Sequence, residues 1–334
     1  MKFMQGLMLA MACGLTMGQS VGTPKPAAPL DPVTAILDAF SSNSIVALGE
    51  PHGNEQAAAF RLDLIRNPRF ADVVTDLVIE AGNSRYQDVV DRFVSGQPVP
   101  DETLRQAWQN TTVANFVWER PIYEQFVRGV REVNASLPKQ KRLRLLLGDP
   151  PVDWNTIHSP DDLLKWLMLR DSSAAAVVRD QVLAKRRRAL VIYGEGHFWR
   201  HNAGNNLVAR LEAQGTKVFA ISTPITADLA SVQPGVSAWP QPSLAILRGT
   251  LIGAQSFQSL FGIQSGNGVR YEDQMDAVLY LGPPSSMTTS MLPARLCADQ
   301  QYRSMRLGRM ALDPGPPGSP APSDALKRNC PTNR

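Results

Sequence analysis

The sequence predicts an α/β protein: a central, mostly parallel sheet with helices on both faces and a site at the carboxyl ends of the strands. Three observations predict it. Short runs that are apolar at every position alternate with helical stretches, the pattern of strands buried on both faces. Each of the first four such runs ends in a loop carrying Glu, Asp or His beside a Gly. The chain has 334 residues, 43% hydrophobic and 19% charged, enough apolar side chain for a sizeable core and too much for a disordered chain.

The elements follow in order. Ser44 to Leu48 reads as a strand ending in Gly49-Glu50-Pro51-His52-Gly53, and Glu55 to Arg66 as a helix with Ala58, Leu62 and Ile65 on one face. Leu77 to Ile79 is a second strand, ending at Glu80-Ala81-Gly82. A helix around Arg85 to Val94 stops at the Gly96-Gln97-Pro98 break, and helical patterns continue through Leu104–Trp108 and Ile122–Val133. Leu143 to Leu147 is a third strand, ending at Gly148-Asp149-Pro150-Pro151. Helices cover about 160–186. Ala189 to Tyr193 is the fourth strand, ending at Gly194-Glu195-Gly196-His197; a helix at about 203–213 and a strand from Lys217 to Ile221 come next. The pattern weakens from about 225 to 310, where Asp276 to Leu281 reads as a late strand of the same sheet.

The ends read differently. Lys2, the apolar run Phe3 to Met17 and the small or polar residues Gly18, Gln19 and Ser20 have the layout of a secretory signal peptide over residues 1–20. The expected product is an exported protein, periplasmic or secreted, with no stable membrane span after signal removal. Ala10-Met11-Ala12 makes a poor lipobox, so lipid anchoring at Cys13 is not expected. Residues 21–43 are a Pro/Ala-rich lead, 44–310 a single α/β domain, and 311–334 a disordered tail, because Asp313 to Pro322 holds five prolines and two glycines. Cys297 and Cys330 would remain in a compartment where disulfides persist, and the sequence leaves open whether they pair.

Several chemistries are excluded by their missing signatures: no Gly-x-Ser-x-Gly elbow, no His-Glu-x-x-His helix, no phosphate-binding loop and no Gly-x-Gly-x-x-Gly after the first strand. A net charge of +4 with one basic block, Lys185 to Arg188, argues against nucleic acid as a partner. What remains is a His/carboxylate constellation. His52 and His197 fall in matching Gly-Glu-x-His loops after strands, on the edge where open parallel sheets bind ligands. A neutral imidazole there can take a proton from water or ligate a metal, and a carboxylate such as Glu50, Glu55 or Glu80 can fix its tautomer. Glu50 and Glu195 equally fit acceptors for backbone amides at helix starts. Arg85 and Arg170 are candidate donors to an anionic oxygen, and Asp149 closes the third strand at the same edge. His158 and His201 read as peripheral.

Together, Gly49-Glu50-Pro51-His52-Gly53 with Glu55, Val78-Ile79-Glu80-Ala81 with Arg85, Gly148-Asp149, Arg170-Asp171 and Gly194-Glu195-Gly196-His197 resemble the erythromycin esterase/ChaN-like superfamily, which takes in the TIKI-type metalloproteases. The resemblance runs over about residues 44–222. It implies a sheet flanked by helices with an active cleft built from these loops. From the esterase branch it implies that His52 activates water as general base, that Glu80 supports it, and that His197 and Arg170 serve the carbonyl oxygen or leaving group without metal. From the TIKI-type branch it implies a divalent ion (Mn, Co or Zn) on His52, His197 and Glu80; from the ChaN branch, haem binding.

The expectation is an exported hydrolase of an ester-like or amide bond in a small molecule or peptide, its site drawn from His52, Glu80, His197, Glu50, Glu55, Arg85, Asp149 and Arg170. The alternatives are a haem- or iron-binding envelope protein without turnover, and a relative that only binds an envelope component.

Overall fold

A computed structural model describes residues 23–201, 205–263, 268–313, 315 and 320–330. The expected signal segment and Cys13 therefore lie outside the described residues. Seven strands form one sheet: β1 (Ile45–Gly49), β2 (Asp76–Asn83), β3 (Arg144–Asp149), β4 (Ala189–Tyr193), β5 (Val218–Ser222), β6 (Ser243–Ile246) and β7 (Ala277–Tyr280). Their spatial order is β3-β2-β4-β1-β5-β7-β6, parallel throughout except for β6 against β7. The predicted class holds.

The unbroken apolar runs are explained by burial on both sides. On one face Val46, Leu48, Leu77, Ile79, Leu145, Leu147, Leu190 and Ile192 pack against the helices Glu55–Arg66, Gln87–Val94, Asp101–Gln109 and Pro121–Ser136. The alternate residues Ile45, Ala47, Val78, Leu146, Ala189 and Val191 face the helices Arg170–Val177 and Leu207–Ala213. Hydrophobic alternation is absent because neither face meets water.

Two expectations need correction. The lead belongs to the domain: Leu30 exchanges backbone hydrogen bonds with Leu244 of β6 at 2.8 and 3.1 Å, and Asp31 caps a helix, Pro32–Ala39, that buries Ile36 and Leu37. An edge strand with unpaired amides is thereby covered, which is why the boundary does not fall at residue 44. The tail is not disordered throughout. The helix Pro322–Asn329 buries Leu326 against Leu292, Leu296 and Tyr302, and a disulfide joins Cys297 to Cys330 at its end. The helices expected over about 160–186 are present and divide early: Pro160–Leu167 ends before Arg170–Val177 begins, so Arg170 and Asp171 sit in the first turn of the second. Among the described residues no helix is long and apolar enough to cross a membrane.

The basic block Lys185 to Arg188 has a structural role. Arg187 and Arg144 both clamp Asp76, fully buried at the amino end of β2, with N–O distances of 2.6 to 3.0 Å.

Candidate functional site

The loop after β1 continues the sheet ladder for one residue, Glu50 donating its backbone N–H to Tyr193 at 2.7 Å. The chain then turns through Gly53, which takes a left-handed φ of 83°, and Asn54 caps the following helix by accepting from Ala57 at 2.7 Å. This short turn between a fixed strand and a capped helix presents His52 at the carboxyl edge. After β4, a single tight turn over Glu195–His197 presents the second imidazole on the neighbouring strand.

Glu80 lies beneath both. Its Oε2 accepts the backbone N–H of Gly194 at 2.6 Å and lies 3.9 Å from His52 Nε2; its Oε1 bonds Arg170 and lies 3.4 Å from His197 Nε2. The two histidines predicted to share a site therefore turn the same ring nitrogen toward one carboxylate. Their other nitrogens are held by different acids. His52 Nδ1 bonds Glu50 at 2.5 Å, within its own motif, whereas His197 Nδ1 bonds Asp171 at 2.7 Å. Glu195 instead accepts from Ser222 Oγ at 2.7 Å and from Thr223 N at 3.1 Å, tying the loop to the end of β5. The repeated motif is thus not two copies of one device.

The charges follow from this network. Burial pushes the Glu80 carboxyl up, but Arg170 and the two histidines outweigh it and hold Glu80 far below the usual carboxylate range. Burial likewise pushes Glu50 up, and Arg61 at 3.1 Å together with His52 brings it below its ordinary value. Burial disfavours the imidazolium at His197, yet Glu80 and Asp171 lift it to about 9, so it is charged at neutral pH. The same opposition at His52, burial against Glu80 and Glu50, leaves its titration raised above an ordinary histidine. Asp149 goes the other way: burial raises it to about 7 although Arg170 lies 3.9 Å away and Thr112 donates both its N–H (2.7 Å) and its hydroxyl (2.5 Å).

Of the eight residues predicted for the site, His52, Glu50, Glu80, His197, Arg170 and Asp149 come together. Asp149, buried, and Arg170, half-buried, stand behind Glu80 and neither lines the cleft. Glu55 and Arg85 are not brought in. Glu55 accepts from Thr288 Oγ1 at 2.7 Å at the start of its helix. Arg85 is carried away because β2 runs on to Asn83, and it pairs with Asp153 at 3.2 Å. Sequence reading missed the role of Asp171, although it directly follows Arg170, and missed Tyr123 and Trp118. Trp118 stands edge-on to the His52 ring at 4.7 Å between centroids, and Tyr123 donates its hydroxyl to Glu50 at 3.2 Å while accepting from Gly53 N at 2.9 Å. Only their aromatic character, in a segment without a motif, signalled them.

Above the acids lies an open cleft of about 400 Å³, floored by Glu50, His52 and Gly194 to His197 and walled by Trp199, Thr223 to Thr226 and Phe261. A divalent ion does not fit it. Both Glu80 oxygens are already engaged, one by the Arg170 guanidinium, and among the described residues no group of three or more His, Cys, Asp and Glu is arranged to hold a metal ion. The set His52, His197 and Glu80 expected from the TIKI-type resemblance is built as an ion-pair network instead. What the arrangement offers chemically is one accessible imidazole with an orienting acid and a second, cationic imidazole beside it.

Solved structures share this architecture. A succinoglycan biosynthesis protein superposes with a TM-score of 0.56 at 11% identity, covering 82% of this chain and 98% of that one. A Bacillus cereus protein superposes at 0.51 with 14% identity, covering 80% and 97%. At these identities the likeness shows the fold alone. ChaN of Campylobacter jejuni, described with haem bound cofacially, reaches 0.36 at 14% identity over 56% of this chain and 84% of its own, too loose a superposition to bear on function. No family model and no curated protein matches the chain.

Proposed function

We propose that the chain is an exported hydrolase that cleaves an ester-like or amide bond with a water activated by His52. One observation carries the reading: His52 Nδ1 is committed to Glu50, which leaves Nε2 as the proton acceptor, 3.9 Å from a buried carboxylate, on a side chain that lines an open cleft. An acid on one ring nitrogen and an open second nitrogen is the layout of a positioned general base. Glu80 stabilises the imidazolium that forms when His52 takes the proton. His197, already cationic, supplies positive charge to the carbonyl oxygen or the leaving group, and Arg170 keeps Glu80 ionised from behind. The motif resemblance to the erythromycin esterase branch supports the same roles. Export is supported by the signal-like first twenty residues and by the disulfide, a bond that persists in oxidising compartments.

A panel of small esters and amides assayed with the full chain, His52→Ala and Glu80→Gln tests it. Turnover that falls by about 10²-fold or more in both variants is the expected result. Hydrolysis that survives in His52→Ala overturns the assignment of the base.

Haem binding in the same cleft is the second reading, favoured by the His52 side chain being 38% exposed and by the apolar walls Trp199, Ile225 and Phe261. His52 would be the axial ligand. A Soret titration decides: a shift lost in His52→Ala, without turnover on any ester, replaces the hydrolase by a binding protein.

A further inference from the structure

His52 borders two cavities. Besides the cleft there is a pocket of about 430 Å³ whose lining includes His52, Phe116, Val117, Arg120, Pro322 and Asn329. The feature of this pocket is Arg120. Its Nη1 donates to the His52 backbone carbonyl at 3.3 Å and its Nη2 to Asn329 Oδ1 at 2.7 Å, while its buried Nε has no partner among the described residues. Among the described residues no carboxylate lies within ion-pair distance of it, although burial holds its guanidinium below the ordinary arginine range. The acid that acts on it, Glu50, is already engaged by Arg61 and His52. Asp313 lines the same pocket and accepts instead from Gly315 N at 3.2 Å.

The guanidinium is also held by design of the His52 loop. A Cβ on Gly53 would stand 1.5 Å from Arg120 Nη1, so the final glycine of Gly49-Glu50-Pro51-His52-Gly53 both turns the chain and leaves the seat in which Arg120 lies. A cation seated beside the proposed base, partly desolvated and lacking a counter-charge among the described residues, is a receptor for an anion, and its planar fork matches a carboxylate.

We infer that this pocket is a second substrate subsite, with Arg120 as its recognition residue, and that the substrate is an ester or amide carrying a carboxylate a few bonds from the bond that is cut. The inference rests on the hydrolytic reading of the cleft. A substrate lying across His52 places its reacting carbonyl on the Gly194–His197 side and its carboxylate on the Arg120 side.

The test is calorimetric titration of the full chain with succinic acid monoanilide and with butyranilide, a neutral anilide that has no carboxylate. The anion binds about tenfold or more tightly than the neutral compound. Arg120→Gln abolishes that preference, and Arg120→Lys, which keeps the charge but loses the fork, retains only part of it. Glu80→Gln keeps the preference, so a pocket that binds anions is distinguished from a cleft that fails to hydrolyse. Equal affinity for the two compounds, binding of neither, or an unchanged preference in Arg120→Gln overturns the inference. If Arg120→Gln does not fold, an unchanged preference in Arg120→Lys does so.

Discussion

Glu80, in the second half of β2, accepts the backbone N–H of Gly194 at 2.6 Å, fixing the loop that follows the neighbouring strand β4. The bond makes the carboxylate a bracket between two strands as well as the shared partner of two imidazoles. Position 194 has an ordinary φ of −51°, so glycine is required there for space alone. A Cβ would meet His52 Cε1 at 2.9 Å and Glu80 Oε2 at 3.2 Å.

Gly194→Ala is therefore expected to push the two groups apart. Displacing a base by about 1 Å costs on the order of 10²-fold in rate, and the crowding costs about 1–3 kcal/mol. Turnover measured beside a urea unfolding curve checks this: a folded variant with undiminished turnover contradicts the shared geometry.

The pH–rate profile should be bell-shaped. His52 must be neutral to take a proton, and its neighbours raise it, so the rising limb lies above the ordinary histidine value. His197 must be charged, so the falling limb lies near pH 9. Asp171→Asn removes one of the two acids holding His197 and moves the falling limb to lower pH. A falling limb unmoved by that substitution separates His197 from the reaction.

Stability follows the same group. The His197 pKa is raised in the folded chain, so its contribution is complete below the unfolded value and is lost as pH rises from there through about 9. At about 1.4 kcal/mol per pH unit the loss is at most about 3–4 kcal/mol. The attraction that depresses Glu80 is the same one and is counted once. Urea midpoints should fall between pH 6.5 and 9.5, and the slope should flatten in Asp171→Asn.

The parallel sheet and the two histidine loops were legible because they depend on local pattern: doubly buried strands read as unbroken apolar runs, and their ends read as Gly beside Glu or His. Asp171, Trp118 and Tyr123 were not, since each meets its histidine or glutamate only through tertiary packing. Glu55 and Arg85 misled for the same reason, being near the motifs in sequence and turned away from them in space. The β6 edge escaped notice because four residues, Ser243 to Ile246, give no period, and the segment covering that edge reads as a Pro/Ala lead.

The Cys297–Cys330 disulfide closes a loop with a sequence separation of 33 and pins the helix that bears Asn329, the partner of Arg120. Loop-closure entropy places its contribution at about 3–4 kcal/mol. Cys297→Ser with Cys330→Ser should lower the urea midpoint accordingly and loosen that helix, measured as faster amide exchange over Pro322–Asn329. Unchanged exchange there would mean that Leu326 packing alone holds it.

At the opposite end of the sheet, Asp76 provides a control. It is fully buried, with Arg144 and Arg187 each making two bonds to it, and it stands at the amino end of the strand that carries Glu80 four residues on. Removing the carboxylate leaves two half-buried guanidinium groups without their shared partner, a loss of about 1–3 kcal/mol. Asp76→Ala should therefore unfold at lower urea. Its turnover per folded molecule should stay near the parent value, because nothing at that end touches the cleft. A variant that keeps its stability but loses turnover would mean that β2 transmits strain along its length to Glu80.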